Sequence, residues 1–219
     1  AVVDRGLLAG DLKYLDLDGN NKIEQTVSAN DIKDLRIIGN SLPRYTYSIR
    51  LNAEWNGIDF SVFFQGVGKQ DWYPSSDAFA FWGPYSSPAP SFIPKDFLAD
   101  VWSVDNPDAY FARPRGYIAW TDGRSLSSVN NRYLQSLAYC RLKNLTVGYT
   151  LPVKWLSKIH VQKARLFFSV EILLTLDRLD TDYIDPEAAA AGTNWKTGKT
   201  NALSYPFSKT YSFGIDITF

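Results

Sequence analysis

The stretch RYTYSIRLNAEWNGIDFSVFFQG, residues 44–66, alternates without a break on both sides of an Asn-Gly pair. Before the pair, Tyr45, Tyr47, Ile49, Leu51, Ala53 and Trp55 share one face, and Arg44, Thr46, Ser48, Arg50, Asn52 and Glu54 share the other. After it, Ile58, Phe60, Val62 and Phe64 repeat the apolar stripe. Period two is the signature of a strand, and Asn56-Gly57 is the strongest short hairpin signal. The reading is a long β-hairpin, apolar on one face and polar on the other.

The pattern returns three times. In SLAYCRLKNLTVGYTL (136–151), Leu145, Val147, Tyr149 and Leu151 share a face, and the phase breaks near Lys143-Asn144, as a bulge would break it. In ARLFFSVEILLTL (164–176), Ala164, Leu166, Phe168, Val170, Ile172 and Leu174 line up. The chain finishes on FSKTYSFGIDITF (207–219), where Phe207, Tyr211, Phe213, Ile215, Ile217 and Phe219 form a stripe broken by Lys209. Five strands are therefore predicted, over 44–55, 58–67, 136–151, 164–176 and 207–219. Most are ten residues or longer, whereas globular strands average about 5–6 and membrane-spanning strands need about 9–11.

The connections alternate in length. They are two residues, then about 70, then about a dozen, then about 30. Short turns at one end and long loops at the other are the outer-membrane barrel pattern, with 68–135 and 177–206 as the outer loops. The soluble alternative is a β-sandwich in which a second sheet covers the stripe, serving as a cell-surface glycan-binding module. It would need an unusually long connection inside a compact domain. Five strands close no membrane barrel, so the barrel reading makes this chain part of a larger one. The absence of Met and of a signal peptide points the same way.

Composition narrows the function. The 219 residues carry 23 basic and 23 acidic side chains, which gives no footprint for nucleic acid. Cys140 is the one cysteine and His160 the one histidine, so neither a disulfide nor a Cys/His zinc site is available within the chain. No G-x-S-x-G elbow is present, and no other arrangement calls for bond-breaking chemistry, so the chain does not read as an enzyme.

Several stretches carry a family resemblance. GDLKYLDLDGNNKI (10–23), IIGNSLPRYTYSIRLNAEWNGIDFSVFFQGVG (37–68), YCRLKNLTVGYTLP (139–152), YIDPE (183–187) and YPFSKTYSFGIDITF (205–219) resemble the C-terminal end of the SusC/RagA-like TonB-dependent outer-membrane transporters. In SVEILLT (169–175), Ile172 stands where that family usually has Asn. The resemblance implies an all-β fold, the last five or so strands of a large antiparallel transmembrane barrel with an N-terminal plug, located in the bacterial outer membrane. It implies import of bulky nutrients, chiefly glycans and in some members peptides. It also implies a SusD-like surface lipoprotein as lid, and energy from the TonB complex acting on the plug. The apolar stripes would face lipid. A terminal Phe219 after an alternating strand resembles the signal read by the barrel-assembly machinery.

Two candidate sites follow. Residues 1–43, an outer loop, contain DLDGNNKIE, which sets Asp16, Asp18 and Asn20 at alternate positions, with the Lys22 carbonyl at position 7 of an EF-hand-type loop. Position 6 is Asn21 rather than Gly, and position 12 is Val27, which offers no ligand. Compared with the family's tighter loop, QTVSAND (25–31) looks like an insertion, which makes Asp31 the closing carboxylate. The expectation is a calcium site of Asp16, Asp18, Asn20, Lys22 and Asp31, against the alternative of a metal-free Asx-rich turn. The second site lies in the long loop, whose Trp72, Trp82, Trp102 and Trp120 are candidates for stacking on substrate, against the alternative of packing the loop itself. Arg44, Arg50, Glu54, Asp59, Gln65, Arg165 and Glu171 are expected to line the polar interior.

Overall fold

The computed structural model describes residues 7–24, 30–86, 93, 95–120, 126, 128–181, 184–192, 199–204 and 207–219. In chain order its strands are β1 (Tyr45–Trp55), β2 (Ile58–Lys69), β3 (Asp71–Pro74), β4 (Gln135–Thr150), β5 (Lys163–Arg178), β6 (Lys199–Thr200) and β7 (Thr210–Thr218). The five long strands pair in the order β1–β2–β4–β5–β7, each antiparallel to its neighbour. Asn56 and Gly57 take φ of 50° and 82°, both positive, as the two-residue turn that matches strand twist requires.

The register joins the separate stripes into one band. Trp55 faces Ile58, Ile58 faces Tyr149, Tyr149 faces Leu166, and Leu166 faces Ile215. Two residues along, Ala53, Phe60, Val147, Phe168 and Phe213 form a parallel row on the same face. The opposite face is mainly polar, its Phe63 and Phe167 rings lying beneath the Arg50 and Arg165 guanidiniums. There the Ser61 hydroxyl donates to Asn52 at 2.8 Å, and the hydroxyls of Thr146 and Ser169 lie 2.9 Å apart. Arg165 on β5 reaches across β4 to Asp59 on β2, with Nε to Oδ1 at 2.8 Å and Nη2 to Oδ2 at 2.6 Å, and its Nη1 meets Asp216 at 3.1 Å. Gly148 lies beneath that crossing. A Cβ there would stand 2.4 Å from Asp59 Oδ1 and 2.6 Å from Arg165 Nε, so the bridge needs a bare backbone on β4.

Lys143 is the bulge that breaks the phase of β4. Phe63 faces Asn144 and Phe64 faces Leu142, leaving Lys143 as the extra residue. The β4–β5 ladder is irregular at the same height, and Ile172 takes φ of 53°. A β-branched side chain is strained in the left-handed region, which asparagine tolerates. Ile172→Asn is expected to stabilise the folded chain by ~1 kcal/mol. The denaturant midpoint of wild type and variant in detergent checks it; a lower midpoint for the variant would mean that the lost Ile172 packing matters more than the backbone.

The chain's main core lies outside the long sheet. β3 extends the ladder by pairing with the start of β4, Trp72 opposite Gln135, and β6 lies parallel to β3. Around them the long loop carries a short helix, α1 (Phe79–Trp82), and three 3-10 turns. Between β2 and β4 the described residues of the stretch read as a loop over 68–135 thus include β3, α1 and these 3-10 turns. Its aromatics collapse on one another: Phe81 and Trp82 meet at 4.8 Å, Trp82 and Trp120 at 4.9 Å, and Trp82 and Tyr133 at 5.0 Å, all edge to face. Burial pushes the phenols of Tyr73 and Tyr110 well above their ordinary range, with the Asp180 carboxylate adding to the effect at Tyr110, so both stay neutral.

The last strand begins at Thr210, opposite Glu171, three residues later than the alternation suggested. Phe207 therefore leaves the apolar stripe. Its ring lies 5.2 Å from the Arg141 guanidinium and 5.5 Å from the Lys143 ammonium. Without a paired neighbour nothing fixes which face Phe207 takes, and two cations offer its ring an attractive contact.

Candidate functional site

The loop layer is clasped to the wall by one buried arginine. Arg141 is 1% exposed and stands on the polar side of β4. Its Nε donates to Thr175 Oγ1 at 2.9 Å, Nη1 to Glu187 Oε2 at 2.7 Å, and Nη2 to Asp185 Oδ2 at 2.5 Å. Lys143 donates to both oxygens of Glu187 at 2.7 Å. Asp185 also caps the helix α3 (Pro186–Gly192), its Oδ1 accepting from the N–H of Glu187 at 2.9 Å and of Ala188 at 3.2 Å. Asp at the cap and Pro at the first helical position follow helix-start chemistry. Two stretches that carried the resemblance, around Arg141 and around Asp185, thus meet in one ion cluster. Reading the sequence missed it, although a lone Arg in the apolar run SLAYCRL was a visible signal; Tyr183 lies outside the described residues.

The acidic loop gathers three carboxylates, and they are not quite the expected ones. Ligand oxygens of Asp16, Asp18 and Asp34 lie within 4.8 Å of one another. Asp31 instead pairs with Lys33 at 2.8 Å, and Lys33 also approaches Glu24 at 3.5 Å. The hydrogen bond and charge of Lys33 hold the Asp31 carboxyl below its usual range. Asp34 takes the closing position, three residues on, because its two oxygens accept the N–H groups of Leu17 at 2.6 Å and Glu24 at 2.7 Å, which fold it over the loop. Asp16 accepts from Gly19 and Asn21, each at 2.7 Å. Desolvation acts to raise the Asp16 pKa, but these N–H donors outweigh it and hold the carboxyl below its usual range. Asn20 bridges Asp18 and Glu24, and its Oδ1 accepts the N–H of Lys22 at 2.8 Å. Val27 lies outside the described residues.

Three carboxylates converging on one point, flanked by an amide, suit a hard cation such as calcium. Calcium at a hundred times its Kd is expected to stabilise this loop by ~2.7 kcal/mol, and Asp34→Asn is expected to remove most of that gain. Thermal unfolding with calcium and with chelator checks it. An equal response in wild type and Asp34→Asn would return the loop to a metal-free Asx turn.

The four tryptophans divide. Trp72 and Trp82 have no exposed surface; Trp72 Nε1 donates to Thr200 O at 3.1 Å and Trp82 Nε1 to Ser75 O at 3.0 Å. Their rings serve the core and offer no face to a ligand. Trp120 is partly buried against Trp82, its Nε1 donating to Tyr85 O at 2.6 Å. Trp102 lines a groove of about 700 Å³ between residues 10–15 and the strip around Phe111 and Asn130–Arg132. The Arg113 guanidinium lies 4.6 Å from the Trp102 ring.

No family model matches the chain. Among curated proteins, TonB-dependent receptor P3 of Formosa agariphila is 30% identical over 212 residues, covering 94% of this chain and 19% of the receptor. TonB-dependent receptor P26 of the same organism is 25% identical over 215 residues, covering 97% and 20%. The chain is homologous to TonB-dependent receptors. It spans about a fifth of the length of the curated receptors it matches. Among solved structures, the RagAB peptide transporter superposes with a TM-score of 0.59 at 22% identity, over 90% of this chain and 19% of that one. The RagAB peptide importer in its open-open state gives 0.57 at the same identity and coverage. These two likenesses concern the fold alone, that of part of an all-β barrel wall.

Proposed function

We propose that the chain is the C-terminal wall segment, with its outer loops, of a SusC/RagA-like TonB-dependent importer in the bacterial outer membrane. The observation that carries this reading is the bare apolar band. Phe213 is 83% exposed and Trp55 77%, in the middle and at the end of a face that spans five paired strands. Among the described residues no second sheet covers that face, as a sandwich would require. β7, the shortest of the five at 9 residues, is long enough to cross a bilayer when tilted. The other face carries the ion pairs and hydroxyl rows of a polar lumen.

On this reading the loop layer faces outward beneath a SusD-like lipoprotein lid, and Phe219 ends the chain on the periplasmic side as the barrel-assembly signal. The remaining strands, the plug and its contact with the TonB complex lie in other parts of the receptor. The cargo is a bulky nutrient, a glycan first and a peptide second; the similarity to a peptide importer supports the second. Purification from outer membranes in detergent, with peptide mass spectrometry, tests the reading. A longer chain with a plug, accompanied by a lipoprotein, is expected. A chain of this size in the soluble fraction would overturn it.

Of the four loop candidates, Trp102 and Trp120 are the ones with ring surface left for cargo. Trp102→Ala is expected to weaken cargo capture about three- to tenfold, the worth of one aromatic contact, while the receptor still assembles. Unchanged uptake in Trp102→Ala and in Trp120→Ala would refute a cargo role for either ring.

A further inference from the structure

The turn between β4 and β5 carries exposed apolar side chains at the end of the band. It contains α2 (Val153–Leu156) and a 3-10 turn, Ser157–Ile159. Leu156 and Val161 are buried against Ala164, with Leu151 packed beside them. Leu151 continues the face of Tyr149, and Ala164 that of Leu166, so both belong to the apolar side of the sheet. The turn therefore folds back over the outside of the wall, not across the polar interior. Its other side presents Val153, 68% exposed, and Trp155, 64% exposed. Lys154 and Lys158, four residues apart, are exposed beside them. Residues 151–164 include no Asp or Glu, and among the described residues no ion pair engages either lysine.

An indole and a valine set beside cations, at the rim of a lipid-sized apolar band, have the make-up of a membrane-interface anchor. We infer that this turn docks on anionic phospholipid head groups, Trp155 seated at head-group depth and the Lys154 and Lys158 ammoniums on lipid phosphates. The inference rests on the outer-membrane reading. Two observations select the occupant. Among the described residues no carboxylate pairs with either lysine, and the turn continues the apolar band, the Thr150 N–H donating to Gly57 O at 2.7 Å beside the hairpin that holds Trp55 and Ile58.

The complete receptor, purified in mild detergent, would be exposed to equal amounts of phosphatidylglycerol, phosphatidylethanolamine and lipid A, and its retained lipids weighed by native mass spectrometry. Wild type is expected to retain phosphatidylglycerol preferentially. The double variant Lys154→Gln/Lys158→Gln is expected to lose that preference about fivefold or more, with phosphatidylethanolamine unchanged. An unchanged preference in a double variant that still runs as a heat-modifiable barrel overturns the inference and leaves the barrel reading standing. Wild-type preference for lipid A also overturns it, because that lipid belongs to the opposite leaflet. A receptor that shows no heat-modifiable barrel overturns the membrane reading, and this inference with it.

Discussion

Arg141→Met is expected to detach α3 and its loop from the barrel wall. Arg141 is buried, and its three donors go to Thr175 on β5 and to Asp185 and Glu187 at the start of α3. Removing Arg141 strands Asp185, whose side chain is only 16% exposed, while Glu187 keeps its pair with Lys143. Breaking a fully buried pair costs about 3–5 kcal/mol, and this partly exposed one falls toward the lower end. Lysine is a poor replacement, because one ammonium cannot fill a planar fork aimed at three acceptors. Amide hydrogen exchange of residues 184–192 checks this directly; protection there should collapse in Arg141→Met while the β1–β2 hairpin keeps its protection. Adding Asp185→Asn and Glu187→Gln should restore part of it by removing the stranded charges. Lys143→Gln is the control. Lys143 is more exposed than Arg141, and its ion pair is expected to contribute under about 1 kcal/mol. Undiminished protection in Arg141→Met would show that aromatic packing alone docks the loop.

Trp82→Ala is expected to melt the loop layer and spare the wall. Trp82 has no exposed surface and packs edge to face on Phe81, Phe111, Trp120 and Tyr133. Truncating a fully buried tryptophan costs about 3–5 kcal/mol, because the transfer gain is lost and the neighbours cannot fill the cavity. The long strands draw their pairing from one another, and nothing in β1, β5 or β7 belongs to that core. Chymotrypsin should therefore cut the loop of the variant at sites silent in wild type, while the barrel still resists heat in detergent. A variant as resistant as wild type would mean that contacts other than the Trp82 cluster hold the layer.

The aromatic richness of the loop was visible in the sequence, but its meaning was not. Four tryptophans in a polar, turn-rich stretch fit a stacking surface for cargo as well as a core. Burial separates them, and burial depends on which distant segments close over each ring: Thr200 over Trp72, and Tyr133 over Trp82. The acidic loop shows the same limit at shorter range. Spacing brought Asp16 and Asp18 into view, yet two backbone N–H groups draw Asp34 into the cluster, while Lys33 draws Asp31 aside.

The sequence by itself determined the strands and their faces. Alternation is a local property of an extended backbone, so 44–55, 58–67, 136–151 and 164–176 could be read within a residue or two, and even the bulge at Lys143 showed as a break in phase. Where pairing stops, that local rule stops too, which is why Phe207 fell on the wrong side. Only the tertiary structure decided what crosses between strands. Arg165 meets Asp59 106 positions away over a bare Gly148, and Arg141 meets Asp185 44 positions away. Those contacts depend on register and loop closure, which no residue encodes alone; the first ties β5 to β2 within the wall and the second fixes the loop layer on it.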